Sequence, residues 1–414
     1  TEIGQTIVKS MGGVLGFIAT IIGIGAIFGG MLEHSGGTQS LANTLVRKFG
    51  QKKAPWAMLL TGFIISIPVF LDVALVILAP LLYALARDTK KSVLVFGLPL
   101  VAGMAVTHAF VPPTPGPVSV AYFLDVSLGY VIGFGVLVGL PTAIICGPFL
   151  CSKMAKLVEP PKIPELQSNE NESTKDLPSF KIICGLIALP IVLILSQTIV
   201  KEMATSGIAS GLTDAERKVE VAILLNELDI WKQFILFIGH PIIALMACTL
   251  LAIWFLGTKR GTSKEDLVEI STKALGPAGI IILITGAGGV FKGVLIATGI
   301  ADALKEVFIG SPIPIIVLAY IFATLVRIAQ GSATVAMLTA AGLMASFVEG
   351  FTQPYLALIA CAIAAGATGF SHVNDSGFWM ISRYLGMTEK QTLKTWTVIS
   401  TAISLVSFGI ILIL

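Results

Sequence analysis

Apolar residues run in long blocks along this chain, and polar residues gather between them. A helix needs about 20 apolar residues to cross the hydrocarbon core of a bilayer. Blocks 12–32, 131–152, 181–200, 235–257, 274–297 and 395–414 meet that length without interruption. Blocks 56–85, 93–124, 313–347 and 355–383 are longer but broken, at Ser66-Ile67-Pro68, from His108 to Pro117, from Arg327 to Ser332 and from Ser371 to Gly377. Polar and Pro/Gly-rich breaks inside apolar runs predict discontinuous helices. Such backbone survives at membrane depth only where protein or a watery cavity satisfies it. The predicted fold class is therefore all-α, a polytopic membrane protein.

Positive charges test which blocks cross and which double back, because Lys and Arg concentrate on the cytoplasmic side. If 56–85 and 313–347 are re-entrant hairpins, segments 33–55, 86–92, 153–181, 258–273 and 383–394 share one side. They hold 19 of the 27 Lys and Arg residues, against 6 on the other side. Reading both hairpins as single crossings scrambles this partition. The basic side is predicted to be cytoplasmic, in an inner membrane. Two membrane repeats, 1–152 and 181–414, are then joined by a polar cytoplasmic linker at 153–180. Within 201–234, Thr213-Asp214-Ala215-Glu216 reads as a helix start, with short helices on the outer surface.

Composition agrees with the pattern. Hydrophobic residues make up 55% of the chain, charged residues 12%, and mean hydropathy is +0.91; a soluble domain is about a quarter charged. Lipid is the main expected solvent, and no nucleic-acid partner is expected. Cys146, Cys151, Cys184, Cys248 and Cys361 lie in apolar stretches without ligand spacing, so they read as core residues rather than a disulfide or metal framework. No cleavable signal peptide is visible.

The halves resemble each other. Gly25-Ala26-Ile27-Phe28-Gly29-Gly30 recurs as Gly288-Gly289-Val290-Phe291-Lys292-Gly293, an offset of 263 that also relates Ser35-Gly36 to Thr298-Gly299 and Leu41 to Leu304. Thr107-His108 corresponds to Ser371-His372 at an offset of 264. Each half runs span, hairpin, broken helix, final span. By the charge count the two hairpins start from opposite sides, which predicts inverted repeats with a substrate site near the midplane.

Ionisable groups inside spans mark that site. Arg327, at the break of the second hairpin, needs an anion: Asp72, Asp375 or a substrate carboxylate. A buried ion pair that only stabilises the hairpin tips is the competing reading. Lys292 is a second candidate cation, or a lysine reaching toward the interface. Half-helix starts near Thr114, Gly331-Ser332 and Asn374-Asp375 present free N–H groups suited to a carboxylate. Asn374 and Ser332 are candidates for substrate hydroxyls, or serve only local backbone. Asp72, His108, His372 and Asp375 are candidate proton-coupling groups. His240, Glu33 and His34 read as structural.

At these motifs the chain resembles the gluconate permease (GntP) family of the ion-transporter superfamily. The resemblance rests on Gly12-Gly13-Val14-Leu15-Gly16, Pro112-Pro113-Thr114-Pro115-Gly116-Pro117, Gly331-Ser332-Ala333-Thr334-Val335-Ala336 and Ser371-His372-Val373-Asn374-Asp375-Ser376-Gly377-Phe378-Trp379. It implies import of a small sugar acid, gluconate or a shorter aldonate, by proton symport rather than an enzymatic activity. It also implies no cofactor beyond the co-transported proton, and a homodimer. A D-serine or other organic-anion carrier, with sodium coupling, is the alternative. Family members commonly carry His where this chain has Thr114, and many gluconate carriers have Glu at Asp72. The run Ile67-Pro68-Val69-Phe70-Leu71-Asp72-Val73 looks like a less characterised branch linked to threonate or erythronate. Relatives usually have one or two more spans upstream of Thr1.

Overall fold

The computed structural model describes residues 2–160, 177–208, 214–299, 313–348 and 350–414, all helix and loop with no strand among them. The core of the predicted linker, Thr213 and Leu304 lie outside the described residues. The first half comprises α1 (Glu2–His34), α2 (Gly37–Phe49), α3 (Ala54–Ile65), α4 (Leu71–Thr89), α5 (Leu94–Phe110), α6 (Pro115–Phe123), α7 (Leu128–Ile144) and α8 (Cys151–Lys156). The second comprises α9 (Phe180–Thr205), α10 (Asp214–Asn226), α11 (Ile230–Ile238), α12 (Pro241–Ala252) and α13 (Lys264–Ala297), followed by α14 (Ile315–Gln330), α15 (Ala333–Met344), α16 (Gln353–Thr368), α17 (Ser376–Tyr384), α18 (Glu389–Thr392) and α19 (Val398–Ile413). Seven helical stretches among the described residues are long and apolar enough to cross a membrane.

All four expected interruptions are present: between α3 and α4, α5 and α6, α14 and α15, and α16 and α17. One expected span is divided instead. Block 235–257 breaks at His240, whose ψ of 129° is extended, and α12 starts afresh with Pro241. The proline ring excludes the preceding residue from helical backbone, so α11 is a separate short helix with exposed Trp231, Phe234 and Phe237.

The longest packed seam joins α1 to α13, and it is antiparallel. Gly30 meets Ala274, Gly23 meets Leu275, Gly286 meets Met11 and Leu15, and Gly293 meets Ser10. Gly23 and Gly30 are the counterparts of Gly286 and Gly293 at the 263-residue offset, so glycines at matching positions of both helices line the seam, although their partners are out of that register: the equivalent of Ala274 is Met11, whereas Gly293 meets Ser10.

Behind the seam, the first arm of each broken pair lies along the following helix. Gly62 packs against the backbone of Leu100 and Gly103 against that of Leu59, so α3 sits directly on α5. Gly366 meets the Tyr320 carbonyl in the equivalent pairing of α14 with α16. The two arms α14 and α15 also pack on each other, whereas α4 turns away from α3 to reach α2, α5 and α17.

Candidate functional site

The second-half break is built around one buried arginine. Helix α14 ends where Gly331 enters the left-handed region at φ +88°, its N–H donating to the Arg327 carbonyl. Glycine takes that conformation without a Cβ penalty. A side chain there would also strike the Asn374 carbonyl, so the absent Cβ lets the loop after α16 close over the end of α14. Ser332 then caps α15 by accepting from the Val335 N–H at 3.4 Å. Across from it, Asp375 caps α17, accepting from the Gly377 N–H at 2.9 Å.

Arg327 is 4% exposed and is held on three edges. Its Nε donates to the Gly369 carbonyl at 3.2 Å, one terminal nitrogen donates to the Gly331 carbonyl, and the other meets Asp375 Oδ2 at 2.5 Å. Ser371 Oγ donates to the same carboxylate oxygen and itself accepts from Trp396 Nε1 at 2.8 Å. Thr397 Oγ1 donates to the Ser371 carbonyl at 2.6 Å, and the Ser371 N–H donates to Ser400 Oγ at 3.3 Å. A guanidinium fork satisfied on every edge is the arrangement in which a buried charge is tolerated. Asn374 donates to the Ile328 carbonyl at 2.9 Å yet remains exposed beside this pair. His372 lies in the same loop, with Nδ1 buried and without a partner among the described residues.

Arg327, Gly331, Ser332, His372, Asn374 and Asp375 therefore share one locus. Of the three anions the sequence left open for Arg327, the one beside it is Asp375. Asp72, His108 and Thr114 belong to the first-half break. Asp72 is in the first turn of α4, exposed and unpaired among the described residues, where a carboxylate suits the helix N-terminus. Its charge is near enough to bear on both Glu33 and His108. His108 Nδ1 is buried without a partner among the described residues, and Thr114 spends its hydroxyl on the Val111 carbonyl at 2.7 Å.

Lys292 joins neither group. Its Nζ donates to the Phe123 carbonyl at 2.8 Å, capping the C-terminus of α6. The neighbouring Gly342 on α15 is ten residues past Ser332, roughly 15 Å along the helix. Sequence reasoning missed Trp396, Thr397 and Ser400, because 395–414 reads as an ordinary span. The signal was the run of hydroxyls Thr395, Thr397, Ser400, Thr401, Ser404 and Ser407 within it, a composition typical of helix–helix contacts in lipid.

The GntP family permease model matches residues 1–414. The gluconate permease of Bacillus subtilis is 37% identical over 420 residues, covering 100% of this chain and 89% of that protein. A low-affinity gluconate transporter of Escherichia coli is 37% identical over 407 residues (98% and 86% covered). An L-idonate transporter from the same organism is 32% identical over 402 residues (97% and 86%). Among solved structures, the YdaH transporter of Alcanivorax borkumensis matches with a TM-score of 0.58 at 14% identity, covering 98% of this chain and 86% of its own, a likeness of fold. An apolar helical chain with paired broken helices, matched from end to end by one family model and by relatives above 30% identity, belongs to the GntP family of permeases.

Proposed function

We propose that the protein is a secondary active transporter of the cytoplasmic membrane that imports a small sugar acid, gluconate or a shorter aldonate, by proton symport. The observation that carries this reading is Arg327, a fully engaged guanidinium where two helix breaks meet, beside an exposed amide and an unpartnered histidine nitrogen. The names of full-length relatives supply the substrate class: gluconate and L-idonate. A substrate carboxylate competes with Asp375 for the guanidinium, Asn374 and Ser332 receive hydroxyls, and Asp72, His108, His372 and Asp375 exchange protons. The antiparallel α1–α13 seam, with glycines at positions matched by the 263-residue offset, supports inverted repeats that alternate access to this site, in a homodimer whose 153–180 linker is cytoplasmic.

The test is uptake of labelled gluconate and of a four-carbon aldonate into proteoliposomes, with and without an inward proton gradient. Gradient-dependent accumulation supports the reading. Failure with every aldonate overturns the substrate class, and dependence on sodium overturns the coupling ion. Competition by D-serine or citrate-like acids distinguishes the other organic-anion specificities.

A further inference from the structure

The first-half break opens onto a cavity of about 300 Å³ that lies apart from the Arg327 locus. Its shape follows from two glycines on α1. Gly29 has no side chain, so the Pro68 carbonyl at the tip between α3 and α4 rests directly against the helix. Gly30 in turn admits α13 at Ala274. Glu33 and His34 continue those two faces one helical turn further on. There the tip and α13 diverge, leaving the chamber bounded by Glu33, His34, Lys273, Pro68, Phe70 and Val73.

The chamber has a polar mouth and an apolar throat. Glu33 is exposed, and its carboxylate has no partner among the described residues. Lys273 stands on α13 opposite it, paired at 2.6 Å with Glu269 on the open surface. By the distribution of Lys and Arg, this mouth is on the basic, cytoplasmic side. Inward, a narrower void of about 20 Å³ continues past Pro68 and Phe70 to Thr114 at the start of α6. That is room for about one water, so the tip acts as a constriction between the chamber and the interior. The chamber itself lies at the lower end of the roughly 300–1,000 Å³ typical of small-molecule sites.

We propose that this chamber is the cytoplasmic vestibule of the transport path. In it a polyhydroxylated monocarboxylate rests after passing the Pro68–Phe70 constriction, with its hydroxyls on Glu33 and its carboxylate toward Lys273. An ionised carboxylate accepts two hydroxyls at once, and the exposed ammonium of Lys273 swings from Glu269 to meet the ligand's carboxylate. The proposal rests on the transport reading above and adds a second station to it.

Side-specific thiol labelling of the full chain in oriented membrane vesicles tests the vestibule. Cys184 is the one cysteine not buried, so Cys184→Ser is the parent. Val73→Cys and Ala274→Cys, one on each wall, are exposed to a membrane-impermeant maleimide. Both are expected to react from the cytoplasmic face only. Gluconate at ten times its half-saturating concentration slows both about tenfold, since only unoccupied chambers react. Adding Glu33→Ala raises the concentration needed for protection about a hundredfold, as for two charge-assisted hydrogen bonds lost. Reaction from the outer face, or unprotected labelling in vesicles that still accumulate gluconate, overturns the vestibule alone. A parent that accumulates no aldonate overturns the transport reading and the vestibule with it.

Discussion

Removing either partner of the Arg327–Asp375 pair tests whether the charge holds the two broken elements together. Arg327→Ala leaves Asp375 with a single side-chain donor, Ser371, in a site where the arginine is 4% and the aspartate 13% exposed. Stranding one member of a buried pair costs about 3–5 kcal/mol. Asp375→Ala leaves the guanidinium two carbonyls, at Gly369 and Gly331, which places it near the lower limit, but it also removes the cap of α17. Its expected cost is about 4 kcal/mol. The double variant strands no charge, so it is expected to cost about 2–3 kcal/mol less than the two single losses combined. Reversible unfolding in mixed micelles, followed by circular dichroism, measures this coupling. A coupling below about 0.5 kcal/mol would refute the idea that the pair joins the breaks. Arg327→Lys separates charge from shape: one ammonium cannot serve three guanidinium edges, so about 1–2 kcal/mol is lost with the carbonyl bonds. All of these variants are expected to insert into the membrane and to lose uptake; normal transport by Arg327→Ala would remove the residue from the site.

Gly331→Ala forces a methyl into left-handed backbone, at about 1–2 kcal/mol, and drives it onto the Asn374 carbonyl; an unfolding midpoint equal to the parent's would disprove the close approach. Trp396→Phe removes the donor to Ser371 Oγ and is expected to cost about 1 kcal/mol, with a smaller loss when Asp375 is already alanine. Asp72→Asn is expected to flatten the dependence of uptake on external pH while substrate affinity changes little. An unchanged pH profile counts against a coupling role.

The breaks were legible because each is written in residues that cannot continue a helix: Pro68, the prolines from 112 to 117, Gly331-Ser332, and Asn374-Asp375-Ser376-Gly377. Partners were not legible. Arg327 demanded an anion, but nothing in the spacing distinguished Asp72 from Asp375, which lies 48 residues away. The choice is made by how α14 meets the loop after α16, and that depends on a glycine contact visible only in three dimensions. Lys292 shows the same limit, since its acceptor is a main-chain carbonyl 169 residues away in the other half. The division at His240 is a different kind of miss. Pro241 was in plain view, but the hydropathy of 235–257 is continuous across it, and the local rule prevails over the average.

The seam between α1 and α13 joins two helices that share glycine positions at the 263-residue offset but not the side chains around them. Gly23 and Gly30 on α1 and Gly286 and Gly293 on α13 all lie in the seam, each meeting a side chain of the other helix. Gly29, whose bare backbone receives the Pro68 carbonyl, corresponds at the 263-residue offset to Lys292, whose ammonium reaches the Phe123 carbonyl. One end therefore accepts a tip against the helix and widens into a chamber, while the other carries a long side chain that ties α13 to α6. The charges at the two breaks are also unlike: Asp72, unpaired among the described residues, in the first half, and the closed Arg327–Asp375 pair in the second. Glycines at matching positions with unlike side chains beside them give the two ends of the molecule different chemistry: an open chamber at one end and a tied helix at the other.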